Sequence, residues 1–437
     1  MGTSGGRRRS GRHSYCIFGH HVTSTLPRLP TLVLPVRALR LCAGFAAIAA
    51  LCAAGYWSVR LSWADGLFRL GTVSSVERAA ALAPSSAEYH VRLAGLLENG
   101  PPELERAIKA NPRMAAAWMM LGLHAERQGD ARTAESYFAR AAEVDRTYLP
   151  LWTLANFHFR HDHAEKFWPA ARRALRMGDP SVHDPTPLFE LCRRMSRDNP
   201  GEILERAIPD IGPVQARYLG FLIQANLTSE AEPVTQRVIA LAAESDLAAV
   251  FSYCDRLIES GATDGAIRAW NALCWKKLHG YTPLAPERGV SLTNGDFSFL
   301  PAEHGFDWRS TAVPGASVGH DAAGIEITFD GRQPDSCELL AQYVPLVPSR
   351  KYRLGFRYQT DGIRPGSGLR WRIQNARAQD IRSDAADLAS FEESEGAVRF
   401  TAPDSIARLA VWYQRAPGTT PIEGRLMVRA VTLEFDP

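Results

Sequence analysis

Cysteine is scarce and unpatterned in this chain: seven in 437 residues, with no C-x-x-C pair and no Cys/His spacing suited to a metal. That excludes a disulfide framework and a zinc-binding module. No H-E-x-x-H, no phosphate-binding loop and no Gly-rich dinucleotide fingerprint occurs, so nucleotide and zinc-hydrolase chemistry lack their usual signatures. Acidic residues are absent from the first 60 positions, which hold eight arginines. The formal charge of +3 is therefore uneven, and residues 61–437 carry 42 basic against 47 acidic residues. A mildly acidic body excludes the basic surface that nucleic acid requires.

What is present divides into four stretches. Residues 1–36, rich in Gly, Ser, Arg and Pro, read as a disordered basic tail, with a misplaced start codon as the simple alternative. Leu41 to Val59 is 19 residues without a charge, flanked by Arg37 and Arg40 on one side and Arg60 on the other. That length suits a bilayer core of ~30 Å, and Tyr56 and Trp57 suit its interface. Seven arginines precede the run and only Arg60 and Arg69 follow closely. The expected arrangement is an uncleaved signal anchor over 37–60, inserted in a bacterial inner membrane through 41–59. The N-terminus is then cytoplasmic and the rest exported; a cleaved signal peptide is the competing reading.

From Val73 the apolar periodicity is helical. Trp118, Leu121, Gly122 and Ala125 fall on one helix face, Gly129-Asp130 breaks it, and Ala134, Phe138 and Ala141 resume it. Two helices joined by a tight turn must pack as an antiparallel pair. The order W-x2-L-G-x2-A … A-x3-F-x2-A resembles the tetratricopeptide repeat (TPR), with Arg146 where that family usually has proline. Pro84, Pro112, Arg146 and Pro180 mark repeat ends at intervals of 28, 34 and 34. Helical stripes continue past Pro180. Tyr253, Cys254, Leu257, Gly261, Ala266 and Trp270 then repeat the offsets of Leu121, Gly122, Ala125, Gly129, Ala134 and Phe138. About five helix pairs make an α-solenoid over 61–279.

A Pro/Gly linker over 280–290 precedes five alternating segments. These are Ile325–Phe329, Tyr352–Tyr358, Leu369–Ile373, Leu409–Tyr413, and Leu426, Val428, Ala430 and Leu433 with a slip. They predict an antiparallel β-sandwich over 291–437. Leu292–Ser298 with Gly305–Trp308, and Tyr343–Gln359, resemble carbohydrate-binding jelly rolls of the galactose-binding-like fold. The expected architecture is thus multidomain: one N-terminal transmembrane helix, an α-solenoid of TPR-like pairs and an antiparallel β-sandwich (jelly roll).

The TPR resemblance implies a concave protein- or peptide-binding face at Ala116, Met119, Leu123 and Glu126, and at Thr153, Phe157 and Arg160. The alternative is that these residues pack against neighbouring repeats. His158, His161 and His163 read as turn and helix-end residues, or as pH-responsive groups, ahead of a metal site. Cys254 and Cys274 are two buried thiols, or a disulfide if the domain is exported. Glycan recognition needs an exposed ring. Trp412 has outward parity, with Arg370 or Gln374 nearby, and Trp308 in a loop is the second candidate. Both could instead cover a sandwich edge or contact the solenoid. No cofactor is expected; the jelly-roll resemblance implies a structural Ca²⁺ site to which Asp296 and Glu434 would contribute. The leading expectation is a non-enzymatic cell-envelope adaptor that binds protein and polysaccharide in polysaccharide assembly or export. A scaffold whose sandwich only caps the solenoid, and an envelope enzyme with a paired-carboxylate site, are the alternatives.

Overall fold

A computed structural model describes residues 36–97, 100–241, 246–376, 381–384 and 387–437. The basic tail expected for 1–36 lies outside these, save its last residue. The chain forms two compact units, one ending at Ala83 and one running from Pro84 to Pro437.

In the first unit a single helix, α1 (Val36–Leu70), has 35 residues and is about 52 Å long. Its stretch Arg40–Leu70 is long and apolar enough to cross a membrane, and side chains 40–59 are all exposed. The helix does not stop where the anchor was expected to end. It continues to Leu70, where Gly71 turns the chain back at φ +71° into α2 (Val73–Leu82). Ala64 of α1 is fully buried, as are Val76 and Ala79 of α2, and the Arg60 side chain donates to Leu82 O at 2.7 Å. Thus α2 is the second helix of a truncated pair, and its first helix is the far end of α1 itself.

Among the described residues the second unit begins with six helix pairs. They are α3 (Ala87–Ala94) with α4 (Pro101–Ala110), α5 (Ala115–Arg127) with α6 (Ala131–Val144), and α7 (Tyr148–Arg160) with α8 (Ala164–Met177). There follow α9 (Thr186–Met195) with α10 (Pro200–Arg206), α11 (Gly212–Gln224) with α12 (Thr228–Leu241), and α13 (Leu247–Ser260) with α14 (Thr263–Trp275). The turn between α5 and α6 shows why the sequence breaks there. Gly129 takes φ +81°, and the Asp130 carboxylate accepts from Thr133 N at 3.0 Å, capping α6. Gly122 is required by close approach: a Cβ there would lie 2.7 Å from the Phe138 ring. One hydrophobic cluster runs from Ala125 to Cys274 through Phe138, Phe167, Trp168, Tyr218 and Trp270, so the pairs from α5/α6 onward share a continuous core, while α3 and α4 pack on Ala117 and Leu121 of α5 in a separate cluster. Trp168, at a usually small position, is buried under the Arg206 guanidinium, 5.3 Å from the ring centroid.

The same cluster takes in Leu284, Phe306 and Ile406, which lie beyond the helices. Residues 280–290 therefore form a packed connection. The Asn271 side chain donates to Leu284 O at 2.8 Å and accepts from Leu284 N at 2.7 Å. Tyr281 Oη donates to buried Asp307 at 2.5 Å, whose carboxyl is pushed up by burial.

Ten strands follow among the described residues: β1 (Trp308–Ser310), β2 (Ala316–Asp321), β3 (Gly324–Asp330), β4 (Ser336–Pro345), β5 (Lys351–Asp361), β6 (Leu369–Asn375), β7 (Ile381–Asp384), β8 (Ser394–Thr401), β9 (Ile406–Gln414) and β10 (Glu423–Phe435). They make two five-stranded antiparallel sheets, ordered β1-β4-β9-β6-β7 and β2-β3-β10-β5-β8. Between them lie Trp308, Trp371, Tyr352, Leu354, Val411 and Tyr413. The slip expected in the last segment is a bulge: β10 shifts register against β5 between Val428 and Ala430. The inward residue after it is Val431, where Ala430 was expected.

Candidate functional site

On the solenoid, Met119 is half-buried and Leu123 is 45% exposed. Glu126 and Arg160 meet across adjacent pairs with bonds of 2.7 and 3.0 Å, and His161 Nε2 adds a third at 3.1 Å. Burial raises the Glu126 carboxyl, but its bonds to Arg160 and His161 outweigh that and hold it below the usual range. Thr153 is half-buried and donates to Leu149 O at 2.8 Å. Phe157 does not line a groove. It is fully buried, 5.3 Å from Phe138 and 4.4 Å from His161 in ring-centroid distance, because α6 offers its ring a partner inside. The Glu126–Arg160–His161 cluster includes the ring that lies on it.

His158, His161 and His163 lie with ring centroids about 6 Å apart, 6.0 and 5.9 Å. Among the described residues no group of three or more His, Cys, Asp or Glu is placed to hold a metal. Burial pushes His158 down to about 4. The folded chain therefore prefers neutral His158, and its contribution is whole above the unfolded value of ~6.5 and lost as pH falls toward 4. Unfolding monitored between pH 7 and 4.5 is expected to show this loss. Its slope reaches about 1.4 kcal/mol per pH unit, and His158→Phe should flatten it. An unchanged slope in the variant would remove His158 from the account.

The strongest assembly of side chains lies where solenoid meets sandwich. Since Tyr253 and Cys254 repeat the offsets of Leu121 and Gly122, Phe251 and Asp255 of α13 occupy those of Met119 and Leu123. These two positions hold a loop of the sandwich. Asp255 accepts from His304 Nδ1 at 2.7 Å, Gly305 N at 2.7 Å and Arg309 Nη2 at 2.6 Å. The His304 ring stacks on Phe251, 5.9 Å away and 6° from parallel. Gly305 sits at φ +58°, and a Cβ there would lie 2.3 Å from the Trp270 ring. Thr263 and Ser405 add a hydroxyl pair at 2.7 Å.

The sandwich corrects the aromatic expectations. Trp308 is in β1, not a loop; it is fully buried, packs on Phe297 and Trp371, and donates to Asn294 O at 2.9 Å. Gln374 is also buried. Trp412 points outward as its parity implies, yet is half-buried. It donates to Ser336 Oγ at 3.1 Å, and Arg372 covers its ring at 4.5 Å. Arg370 pairs with Asp387 at 3.2 Å. Asp296 and Glu434 are exposed, and Asp296 Oδ1 accepts from Ser298 N at 3.2 Å. A G-A-S-V-G string at 315–319 places Ser317 in β2, its hydroxyl 2.5 Å from that of Thr328. A strand running on to Asp321 is not the strand-to-helix elbow of a serine hydrolase.

No protein-family model matches the chain, and no curated protein matches it. Among solved structures, 33% of the chain is similar to the whole of a CBM4, at 17% identity and a TM-score of 0.27. Over 48% of its length the chain is similar to 95% of YrrB, described as a TPR protein with an unusual peptide-binding site, at 11% identity and a TM-score of 0.24. PilF of Pseudomonas aeruginosa is similar over 91% of its length to 51% of this chain, at 12% identity and 0.24. The chain is a solenoid of antiparallel helix pairs followed by an antiparallel β-sandwich.

The second sheet has an outer face that sequence reading did not single out. Glu326, Met427 and Gln359 form one row across it, and Arg425 bonds Asp361 at 3.1 Å in the next. A hollow of about 320 Å³ lies over them, with Phe391 among its lining residues and 76% exposed. The alternation marked Met427 and Gln359 as outward, but Phe391 belongs to a loop whose position no period reports. At the junction, sequence reading gave the offsets of the last pair but did not name Phe251 and Asp255, which the Met119 and Leu123 offsets reach there. Nothing in His304-Gly305 signalled that this chain supplies their partner.

Proposed function

We propose that this chain is a membrane-anchored, non-enzymatic adaptor of the bacterial cell envelope. In this reading α1 crosses the inner membrane with its N-terminus in the cytoplasm, and Pro84–Pro437 lies on the other side. The solenoid holds a protein segment, the sandwich touches glycan, and the assembly serves polysaccharide assembly or export. The observation that carries the protein-binding part is the grip of Phe251 and Asp255 on His304-Gly305. One pair of the array already binds an irregular peptide segment through the offsets that Met119 and Leu123 present elsewhere. A second reading, in which the sandwich merely caps the solenoid, draws on the same contact.

The test uses the full chain in its own membranes, cross-linked and purified in detergent. A partner retained by the natural chain should be lost at least about tenfold when Met119→Glu and Leu123→Glu place carboxylates in an apolar contact. Retention that ignores both substitutions, or no retained protein at all, would favour the cap.

A further inference from the structure

We propose that the outer face of the sheet β2-β3-β10-β5-β8 is a groove for an acidic polysaccharide, gripped by Arg353. This rests on the glycan-contact part of the function proposed above and names the class of glycan and the site. Register fixes three outward rows across neighbouring strands: Glu434–Arg353–Arg399, then Thr432–Gly355–Ala397, then Ala430–Arg357–Glu395. The middle row carries no side chain longer than threonine, while its neighbours on β5 are arginines. Outward residues repeat every second position, so Arg353 and Arg357 stand about 13 Å apart along β5 with a low floor between them. The resulting trough has about 430 Å³ of free volume, and it is lined by Arg353, Arg357, Glu395, Ala397 and Thr432.

The chemistry of the walls selects the ligand. Within the sheet the strand backbones are already paired, so a peptide cannot add itself to this face as a strand. The trough's outward rows have no aromatic ring, so stacking cannot hold a neutral sugar there. Guanidinium groups, by contrast, meet carboxylates in a two-bond fork. Most arginines on this face are already engaged: Arg399 with Asp436 at 3.1 Å, Arg357 and Arg429 with Glu393 at 3.4 Å each, and Arg425 with Asp361. Arg353 makes no ion pair or side-chain hydrogen bond among the described residues, although Glu434 lies opposite it in register. Its charge is available to a uronate carboxylate. Glu395 and the Thr432 hydroxyl line the same trough and can bond sugar hydroxyls, and Phe391 at the neighbouring hollow supplies one open ring face.

The test is titration calorimetry on the full chain in detergent, with an oligogalacturonate and the neutral oligogalactoside of equal length as probes. Saturable binding of the uronate oligomer is expected, weakening with salt, with the neutral oligomer at least about tenfold weaker, the worth of one charge-assisted bond. Arg353→Gln should weaken uronate binding by a similar factor, and Ala397→Gln, which fills the trough from an exposed strand position, should abolish it. Equal binding of both oligomers that ignores Arg353→Gln would overturn the acidic-groove proposal and leave the glycan reading standing. Binding of neither oligomer would overturn the groove, and with silence across a broad glycan array, Trp412→Ala alongside, the glycan reading would fall with it.

Discussion

Gly305→Val is expected to unseat the sandwich from the solenoid and to cost about 3 kcal/mol or more. Two costs add. The backbone at φ +58° is one a β-branched residue rarely takes, and the new Cβ would start 2.3 Å from the Trp270 ring. Trp270 has nowhere to retreat. It is fully buried, nearly parallel to Tyr281 at 5.7 Å and edge-on to Phe306 at 6.0 Å. Moving the loop instead would pull Gly305 N off Asp255 and leave a buried-side carboxylate short of a donor. Thermal unfolding should fall by several degrees, and limited proteolysis should open new cuts around residues 299–304. Gly305→Ala keeps the clash with less bulk and should lie between. A melting point and cleavage pattern unchanged in the valine variant would mean that the loop is not what seats the sandwich. The detached form would also free Phe251 and Asp255, so a partner of the solenoid groove should be retained more strongly by it.

How far the sequence could be read depended on how many neighbours each residue faces. Helix pairs were legible because one stripe buries and one does not; Gly122 and Phe138 announce their contact by size alone. Strands β3, β5, β6, β9 and β10 were legible for the same reason at period two. Strand β4 was not, because a register shift between Glu338 and Leu340 breaks its alternation, and Leu339 through Gln342 are all buried. That sheet has a core on each side: the second sheet within, and the packed junction with the solenoid without. Trp308 failed as a ligand candidate because a three-residue strand shows no period. Phe157 failed because a motif offset gives a direction along a helix, whereas an aromatic ring goes where a second ring can cover it. For Trp412 the parity was right, and what it could not report was Arg372 lying on the ring. The seating of one domain on the other is a long-range property; no local pattern in His304-Gly305 encodes Asp255.

Removing Glu338 is expected to be the other costly change, at about 3–5 kcal/mol for Glu338→Ala, because it strands a buried guanidinium. Arg408 Nε bonds Glu338 Oε2 at 2.8 Å, and the two side chains are only 16% and 14% exposed. Burial favours the uncharged Arg408, but Glu338 and Tyr343 outweigh it and keep the guanidinium charged. The pair is one end of a chain of contacts that crosses to the solenoid. Arg408 lies over the Tyr343 ring at 4.7 Å, Arg309 lies over the same ring at 5.0 Å, and Arg309 reaches Asp255. With Glu338 gone, Arg408 must find water or another anion, and either response shifts Tyr343 and loosens the junction. The double variant Glu338→Met, Arg408→Leu removes both charges at similar volume and should recover most of the loss, which a simple cavity effect would not allow. Urea unfolding of Glu338→Met, Arg408→Leu and the double variant reads this directly; strictly additive losses would show that the charges do not depend on each other. Because the acidic-glycan groove lies on the opposite sheet, oligogalacturonate binding should survive in Glu338→Ala at temperatures where the protein stays folded. Loss of that binding together with the junction would mean instead that seating on the solenoid shapes the groove.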